Sequence, residues 1–213
     1  MTYAVKEMFA TLQGEGAQSG RASVFCRFAG CNLWSGREPD RAAAQCRFCD
    51  TDFIGTDGPG GGRFPDADSL ANAIAAFWPG GPGGYVVFTG GEPLLQLDAP
   101  LLDAVHARGL TAAVETNGTI PAPAGVDWLC VSPKAGTTLV QRTGAELKLV
   151  FPQPDLMPDR FDAPDLAYDF THRFLQPMDG PDRAANTAAA VAYCLAHPRW
   201  RLSLQMHKMI GIP

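Results

Sequence analysis

The chain has 213 residues, 46% hydrophobic and 18% charged, with a formal net charge of −5 at pH 7, which is typical of a globular domain and excludes a disordered chain. No cluster of lysines and arginines offers a surface for phosphates, so we expect no nucleic-acid partner. We find neither a secretory signal nor an apolar run of membrane-spanning length, so we expect a cytoplasmic protein with no membrane partner.

Short runs of β-branched and aromatic residues predict strands along the chain. In order they are Tyr3–Phe9, Ser23–Phe28, Tyr85–Thr89, Thr111–Glu115, Trp128–Ser132, Leu147–Phe151, Arg173–Gln176 and Leu202–Met206. Apolar residues at helical spacing and helix-stop signals predict the helices Ser69–Trp78, Ala99–Arg108 and Pro181–Ala196. The glycine-rich runs 55–63 and 79–84 are predicted to be loops.

The order of these elements predicts an α/β fold. Strands that alternate with helices form βα units, because a crossover helix is the usual route to the next parallel strand. The alternation fails where residues 116–127 contain TIPAPAG and where residues 152–164 carry four prolines, since neither stretch easily supplies a full helix. We therefore expect a single domain over residues 1–213, an abridged, partial (β/α) barrel with some crossover helices missing.

Three of the six cysteines are candidate metal ligands. In a reducing compartment, cysteines are expected to be metal ligands, catalytic thiols or buried residues rather than disulfides. Cys46 and Cys49 form a CxxC pair, and Cys31, at the end of the preceding strand, is able to complete a site of three thiolates. Three ligands favour an iron–sulfur cluster with one open iron, because a structural zinc site is closed by four.

A zinc site with Cys26 as its fourth ligand is the alternative. Strand parity weakens it, because Cys26 shares a strand face with Val24 and Phe28 and is expected to pack in a core. Cys130 and Cys194 stand in apolar surroundings and are also expected to be buried.

Polar motifs follow three of the predicted strands. TGGEP (89–93) comes directly after an apolar strand, and ETNG (115–118) and SPK (132–134) occupy the same position after later strands. Paired glycines let a ligand approach the backbone closely, and Glu92 is able to accept from an ammonium group. Each motif taken alone is also compatible with an ordinary turn. Their shared place at the carboxyl ends of parallel strands is where barrels build active sites.

These motifs, in this order, resemble the radical S-adenosylmethionine superfamily and, within it, the 7-carboxy-7-deazaguanine synthase family. LQGEG (12–16), VFCRFAGCNL (24–33) and LQMHK (204–208) extend the resemblance over nearly the whole chain. The superfamily usually spaces its cysteines C-x3-C-x2-C, whereas 14 residues separate Cys31 from Cys46 here, as in this family. Glycyl-radical-activating enzymes share the GGEP-like turn, so that type of radical enzyme and a zinc-stabilised binding module are the alternatives.

The resemblance implies a lyase reaction of the queuosine pathway. Its cofactors would be a [4Fe-4S] cluster, S-adenosyl-L-methionine and Mg²⁺. The small-molecule substrate would be 6-carboxy-5,6,7,8-tetrahydropterin, which loses a hydrogen atom from C6, contracts its ring and releases ammonia to give 7-carboxy-7-deazaguanine. The partners implied are an electron donor such as a flavodoxin and a second copy of the chain in a homodimer.

The resemblance also assigns residues to roles, with the cluster-binding loop at residues 31–49. Cluster and catalytic ligands are Cys31, Cys46 and Cys49, and Thr51 is the Mg²⁺ ligand. Residues implied to bind S-adenosylmethionine are Phe48, Asp50, Gly91, Glu92, Asn117, Ser132, Pro133, Lys134 and Gln176. Residues implied to bind the substrate are Leu12, Gln13, Gly14, Glu15, Arg27, Thr89, Gly90, His207 and Pro213. The carboxylate of Pro213 is expected to reach the substrate as the tail folds over it.

Overall fold

A computed structural model describes residues 2–213 and contains one sheet of nine strands. The strands are β1 (Tyr3–Leu12), β2 (Ala22–Phe28), β3 (Gly62–Phe64), β4 (Gly84–Gly90), β5 (Leu110–Thr116), β6 (Trp128–Val131), β7 (Thr143–Phe151), β8 (Asp169–Pro177) and β9 (Arg201–Leu202). Their order across the sheet is β3-β1-β2-β4-β5-β6-β7-β8-β9. β1 pairs antiparallel with β2 and β3, and every pairing from β2 to β9 is parallel.

The helices are α1 (Ala67–Phe77), α2 (Ala99–His106), α3 (Arg183–Ala196) and α4 (Met206–Ile210). α1 precedes β4, α2 connects β4 to β5, and α3 connects β8 to β9. In the described part of the chain no α-helix lies between β5 and β8, where only short 3₁₀ turns occur. This confirms the predicted partial barrel with missing crossover helices. None of the helices within residues 2–213 is long and apolar enough to cross a bilayer.

One aspartate, Asp98, holds α2 to the first strand. Asp98 precedes α2, and its carboxylate accepts from the Leu101 amide at 3.1 Å and from the Tyr3 hydroxyl at 2.6 Å. The first bond caps the helix, and the second fixes it against β1. Leu70, Ile74 and other apolar residues of α1 and α2 then pack on one face of β1, β2, β4 and β5. The opposite face, at the carboxyl ends of these strands, is left for the site.

Two predicted elements differ from the structure. Residues 62–64, part of which lay in a predicted loop, form β3, because their backbone pairs with β1 in the register Tyr3↔Phe64. The predicted strand Leu202–Met206 is wrong: β9 covers only Arg201–Leu202, and α4 begins at Met206. His207 and Lys208 therefore lie on a helical turn. Five residues are too few for hydrophobic periodicity to separate a strand from a helix.

Candidate active site

The parallel strands end around one cavity of about 470 Å³. The carboxyl ends of parallel strands meet at one edge of a sheet, and this volume suits a small molecule. Most residues implied to form the site line this cavity. They are Leu12, Gln13, Gly14, Glu15, Arg27, Cys46, Phe48, Cys49, Asp50, Thr51, Thr89, Gly90, Gly91, Asn117, Ser132, Lys134, Gln176, His207 and Pro213.

Three implied site residues lie behind this wall instead. Cys31 is half-buried, and its sulfur accepts from the Leu33 amide at 3.4 Å. Pro133 is buried, and its carbonyl accepts from the side-chain amide of Gln153 at 3.2 Å. Glu92 is fully buried. Side-chain contact with a ligand in the cavity is therefore not available to Glu92 in this conformation, which differs from the expectation that its carboxylate receives an ammonium group.

Glu92 instead joins the ends of β4 and β5. Its carboxylate accepts from the Leu94 amide at 3.0 Å, the Thr116 hydroxyl at 2.7 Å and the Asn117 amide at 2.8 Å. Burial raises the pKa of this carboxyl even though three donors oppose the rise. The side chain thus fixes the TGGEP turn against the ETNG turn, and Asn117 is presented to the cavity.

Gly91 brings the same turn against the first cysteine. A Cβ atom on Gly91 would lie 2.2 Å from the Gly30 carbonyl oxygen and 2.6 Å from the Cys31 Cβ. The Glu92 amide also donates to the Gly30 carbonyl at 3.0 Å. Only glycine permits this approach of two backbones, so Cys31 and the cavity wall are neighbours through Gly91.

The 14-residue stretch after Cys31 folds back on itself. The Gln45 amide donates to the Leu33 carbonyl at 3.2 Å, which brings the two ends of the stretch together. Trp34 packs edge-on against Phe53 with ring centroids 5.6 Å apart. Arg41 lies 4.1 Å above the Trp34 ring and donates to the carbonyls of Arg47 and Cys49. These contacts give the cluster-binding loop a defined path back to the CxxC pair.

The two thiols of the CxxC pair, Cys46 and Cys49, are hydrogen-bonded to each other at the cavity. The hydrogen bond from Cys46 lowers the pKa of Cys49 to about 6, so Cys49 is the more readily ionised thiol. Within residues 2–213, no three or more His, Cys, Asp or Glu side chains converge closely enough to hold a single ion. A [4Fe-4S] cluster binds each thiolate through a different iron, so its ligands stand further apart than those of one zinc ion.

The remaining cysteines are placed largely as expected. Cys26 is fully buried in the core between the sheet and the outer helices, opposite Met8 and beside Phe88 in the strand register. It is therefore not available as a fourth zinc ligand. Cys130 is buried as predicted, whereas Cys194 is only half-buried, because it lies on α3, a helix with little of its surface covered.

A half-buried lysine lies on the cofactor side of the cavity. Lys134 Nζ donates to the Ser132 carbonyl at 2.8 Å and to the Ser132 hydroxyl at 2.7 Å. It lies 5.8 Å from the centre of the Phe48 ring. Burial lowers the pKa of this lysine. Lys134 thus offers an ammonium group near the CxxC segment, as the resemblance implies.

Arg27 is oriented by a neighbour that the motifs did not indicate. Its Nε donates to Glu7 Oε1 at 2.8 Å, across the β1–β2 pairing, and its guanidinium lies 5.9 Å from the Phe9 ring centre. This arrangement uses the Nε edge of the guanidinium and leaves the terminal nitrogens for a second carboxylate. Glu7, Phe9 and Arg27 all line the cavity.

A buried polar network that sequence reasoning missed forms another part of the wall. Lys148, in the middle of β7, contacts the Glu15 carboxylate. Glu15 also accepts from the side-chain amides of Gln176 at 3.1 Å and Gln205 at 3.0 Å. Glu115 accepts from Gln13 at 3.0 Å. Glu115 and Gln205 lie within ETNG and LQMHK but were assigned no role, and Lys148 lies in no motif, although a charged residue inside a predicted apolar strand was a signal for it.

The C-terminal segment closes one side of the cavity. The Met206 amide donates to the Gly14 carbonyl at 3.0 Å, and a Cβ atom on Gly14 would lie 2.2 Å from His207 Nδ1. Lys208 bridges Asp50 at 2.5 Å and Asp179 at 2.7 Å. The Thr11 hydroxyl donates to the Pro213 carbonyl oxygen at 2.9 Å. The segment therefore lies against both the LQGEG stretch and the loop that follows Cys49.

Comparison with known proteins gives a consistent result. The Radical SAM superfamily matches residues 40–145, a range that begins beyond Cys31. The 7-carboxy-7-deazaguanine synthases of Bordetella pertussis and Caulobacter vibrioides are 68% and 66% identical over 214 residues, with 100% of this chain and 100% of each relative covered. A solved structure, the crystal structure of QueE from Escherichia coli, is 26% identical with a TM-score of 0.73, covering 97% of this chain and 95% of that chain.

Proposed function

The chain belongs to the 7-carboxy-7-deazaguanine synthase family of radical S-adenosylmethionine enzymes, and we propose that its cavity carries out that reaction. 6-Carboxy-5,6,7,8-tetrahydropterin would be converted to 7-carboxy-7-deazaguanine with ring contraction and loss of ammonia, in the biosynthesis of 7-deazapurines. The observation that carries the proposal is the cavity itself. Its lining includes both the CxxC thiols and a polar set suited to a carboxylated heterocycle, in a chain 68% identical to a named synthase.

The residues present fit a [4Fe-4S] cluster and S-adenosylmethionine. Two thiols line the cavity, the third packs against Gly91, and three ligands leave one iron open. When bound, the reduced cluster and S-adenosylmethionine supply the radical that removes a hydrogen atom from the substrate. Lys134, Ser132 and Phe48 would bind the cofactor, and the exposed amides and carbonyls at Gly90 and Gly91 would bind its amino acid part.

The chain's own contribution is to bind and orient the substrate. The terminal nitrogens of Arg27 would hold the substrate carboxylate, because Glu7 already occupies the Nε edge. At the other side, Gln13, Glu15 and Glu115 offer amide and carboxylate groups to an aminopyrimidinone ring, whose edge carries adjacent N–H donors. His207 and Pro213, on the closing segment, would cover the bound ring and exclude water.

Further features belong to the same proposal. Thr51 lines the cavity and would bind Mg²⁺ together with substrate oxygens and waters. The chain would act as one domain over residues 1–213, supported by the single sheet that runs from β1 to β9. A homodimer, reduction by a donor such as a flavodoxin, and a cytoplasmic location are expectations from the family.

Anaerobic turnover tests the proposed function. Protein reconstituted with iron and sulfide is reduced and given 6-carboxytetrahydropterin, S-adenosylmethionine and Mg²⁺, and the products are identified by mass spectrometry. We expect 7-carboxy-7-deazaguanine and ammonia, and no product from the Cys49→Ala variant. Absence of the deazaguanine from a preparation that contains its full complement of cluster iron would overturn the assignment.

A further inference from the structure

Lys148 is a buried cation that has no role in the reaction as described so far. It lies in the middle of β7 with its side chain 5% exposed, between Glu15 and Glu115, whose side chains are 12% and 23% exposed. Its Nζ contacts Glu15 Oε2 and lies 3.3 Å from Glu115 Oε1. An ammonium group at this depth requires partners of opposite charge, so the lysine and the two carboxylates form one unit.

The two carboxylates face the cavity, and they differ in how many further hydrogen bonds they are able to accept. Glu15 receives Lys148, Gln176 and Gln205, which fix both of its oxygens. Glu115 uses only Oε1, for Gln13 and Lys148, and no donor within residues 2–213 contacts its Oε2. Both residues line the cavity. Glu115 therefore offers an open acceptor, and Glu15 lies beside it in a fixed orientation.

We propose that Lys148 is a positioning residue for substrate binding: it keeps Glu15 ionised and holds both Glu15 and Glu115 so that their carboxyl oxygens face the cavity, where they accept the N–H groups of an aminopyrimidinone ring. The inference rests on the proposed function, because that function supplies a ring with adjacent donors. A protonated carboxyl would present its own O–H to those donors, so only the ionised form matches this edge. Lys148 itself makes no contact with the substrate in this role.

The charges around the site support this role. Burial acts to raise the pKa of Glu15, but the charge and hydrogen bond of Lys148, joined by the hydrogen bond of Gln205 and the charge of His207, together hold that pKa below its usual value. Burial acts to lower the pKa of Lys148, and the facing groups raise it well above its usual value instead. The titratable groups that face this unit from the neighbouring elements are Tyr85, Cys130, Lys134, Glu146 and His207. Burial raises the pKa of the Cys130 thiol, so the carboxylates supply the negative charge.

The Lys148→Met variant tests the proposal through its pH dependence. Without the ammonium, burial is opposed mainly by the side-chain amides of Gln176 and Gln205, so the pKa of Glu15 rises and the carboxyl is more often protonated near neutral pH. We expect the KM for 6-carboxytetrahydropterin to rise about tenfold or more at neutral pH. In the variant, that KM should fall again between about pH 7 and pH 9. The wild-type KM for 6-carboxytetrahydropterin should stay constant over the same range, and the KM for S-adenosylmethionine should be unchanged by the substitution. Lys148→Arg keeps the charge and should show no such recovery with pH.

A readout independent of turnover separates this inference from the proposed function. Infrared difference spectra of reconstituted protein follow the protonation of Glu15, with Glu15→Gln assigning the band. The carboxyl should titrate below its usual pKa in the wild type and above it in Lys148→Met. Lys148→Gln replaces the methionine variant if that one does not fold, and Arg108→Met, which removes a cation bonded to Asp68 on the outer helical layer, is the matched control.

Each outcome decides between the two claims. A wild type that makes no deazaguanine contradicts the proposed function, whatever the spectra show. The role of Lys148 is overturned if the wild type makes deazaguanine but the KM for 6-carboxytetrahydropterin in Lys148→Met or Lys148→Gln does not depend on pH. The same holds if Glu15 titrates alike in wild type and variant, if the KM values for substrate and S-adenosylmethionine rise together, or if Lys148→Arg gains the pH dependence.

Discussion

Gly91 lies where the end of β4 meets Cys31, and the space there admits no side chain. In Gly91→Ala, the new Cβ would meet the Gly30 carbonyl and Cys31 Cβ, so the turn or the cysteine must move. We expect the variant to fold but to bind less iron after reconstitution, measured as iron per chain and as visible absorbance. Gly81→Ala is the control, because nothing lies within 4 Å of its added Cβ, and it should bind iron like the wild type.

Glu92 provides a second prediction, on stability. The amide of Glu92→Gln would place an N–H₂ group where donors from Leu94, Thr116 and Asn117 now converge, so at least one buried donor loses its acceptor. We expect the free energy of unfolding to fall by about 1–3 kcal/mol in urea titrations. Glu38→Gln, at a side chain 74% exposed, should change it by less than about 0.5 kcal/mol. An unchanged stability in Glu92→Gln would show that the carboxylate is not needed to join the two turns.

Which residues could be predicted depended on where they stand in the chain. Residues of the site with a motif, such as Gly91, were indicated because they follow a strand or lie beside a cysteine. Lys148 and Glu7 lie within strands, where the alternation of side chains does not reveal which face is covered. Their partners lie far away in sequence, since Lys148 contacts Glu15 across 133 residues. No local pattern encodes such a pairing.

At the scale of elements, one lysine of α4, Lys208, holds the C-terminal segment (residues 206–213) in place. Lys208→Met removes the bridges to Asp50 and Asp179. Both carboxylates are partly exposed, so the free energy of unfolding should change by less than about 1 kcal/mol. Amide hydrogen exchange over residues 206–213 should nevertheless accelerate, and the KM for the pterin should rise, because the segment covers the substrate side of the cavity.

A matched lysine variant is the control for this effect. Lys6→Met removes two other exposed ion pairs, to Asp52 and Asp57, and should leave exchange over residues 206–213 unchanged. If exchange of the segment is the same in Lys208→Met as in the wild type, the contacts of Met206 and Thr11 suffice to hold it, and Lys208 has no part in closure.

Elements were predictable where the strand or helix is long and apolar. β4, β5, α1 and α3 were placed within two residues of their observed ends. β3 was missed because a strand of only three residues, Gly-Arg-Phe, has too little propensity of its own and exists through its pairing with β1. For α4 the error has the same origin, because its position follows from backbone contact with Gly14.

At the scale of the whole molecule, the missing crossover helices leave a partly open sheet rather than a closed barrel. The parallel order from β2 to β9 brings the carboxyl ends of seven strands toward one cavity, which is why motifs far apart in sequence could be expected to meet. The path of the cluster-binding loop could not be predicted. It depends on the packing of Trp34 on Phe53 and on the bonds of Arg41 to the Arg47 and Cys49 carbonyls, which no periodic pattern encodes in a segment without regular strands.

The measurement that tests the central claim most directly follows a hydrogen isotope. Reconstituted protein is given 6-carboxytetrahydropterin deuterated at C6, and S-adenosylmethionine and the product are recovered during turnover. The account predicts that 7-carboxy-7-deazaguanine forms and that deuterium from C6 appears in the recovered S-adenosylmethionine. Deazaguanine formed without any deuterium in S-adenosylmethionine, or cleavage of S-adenosylmethionine with the pterin left intact, would contradict it.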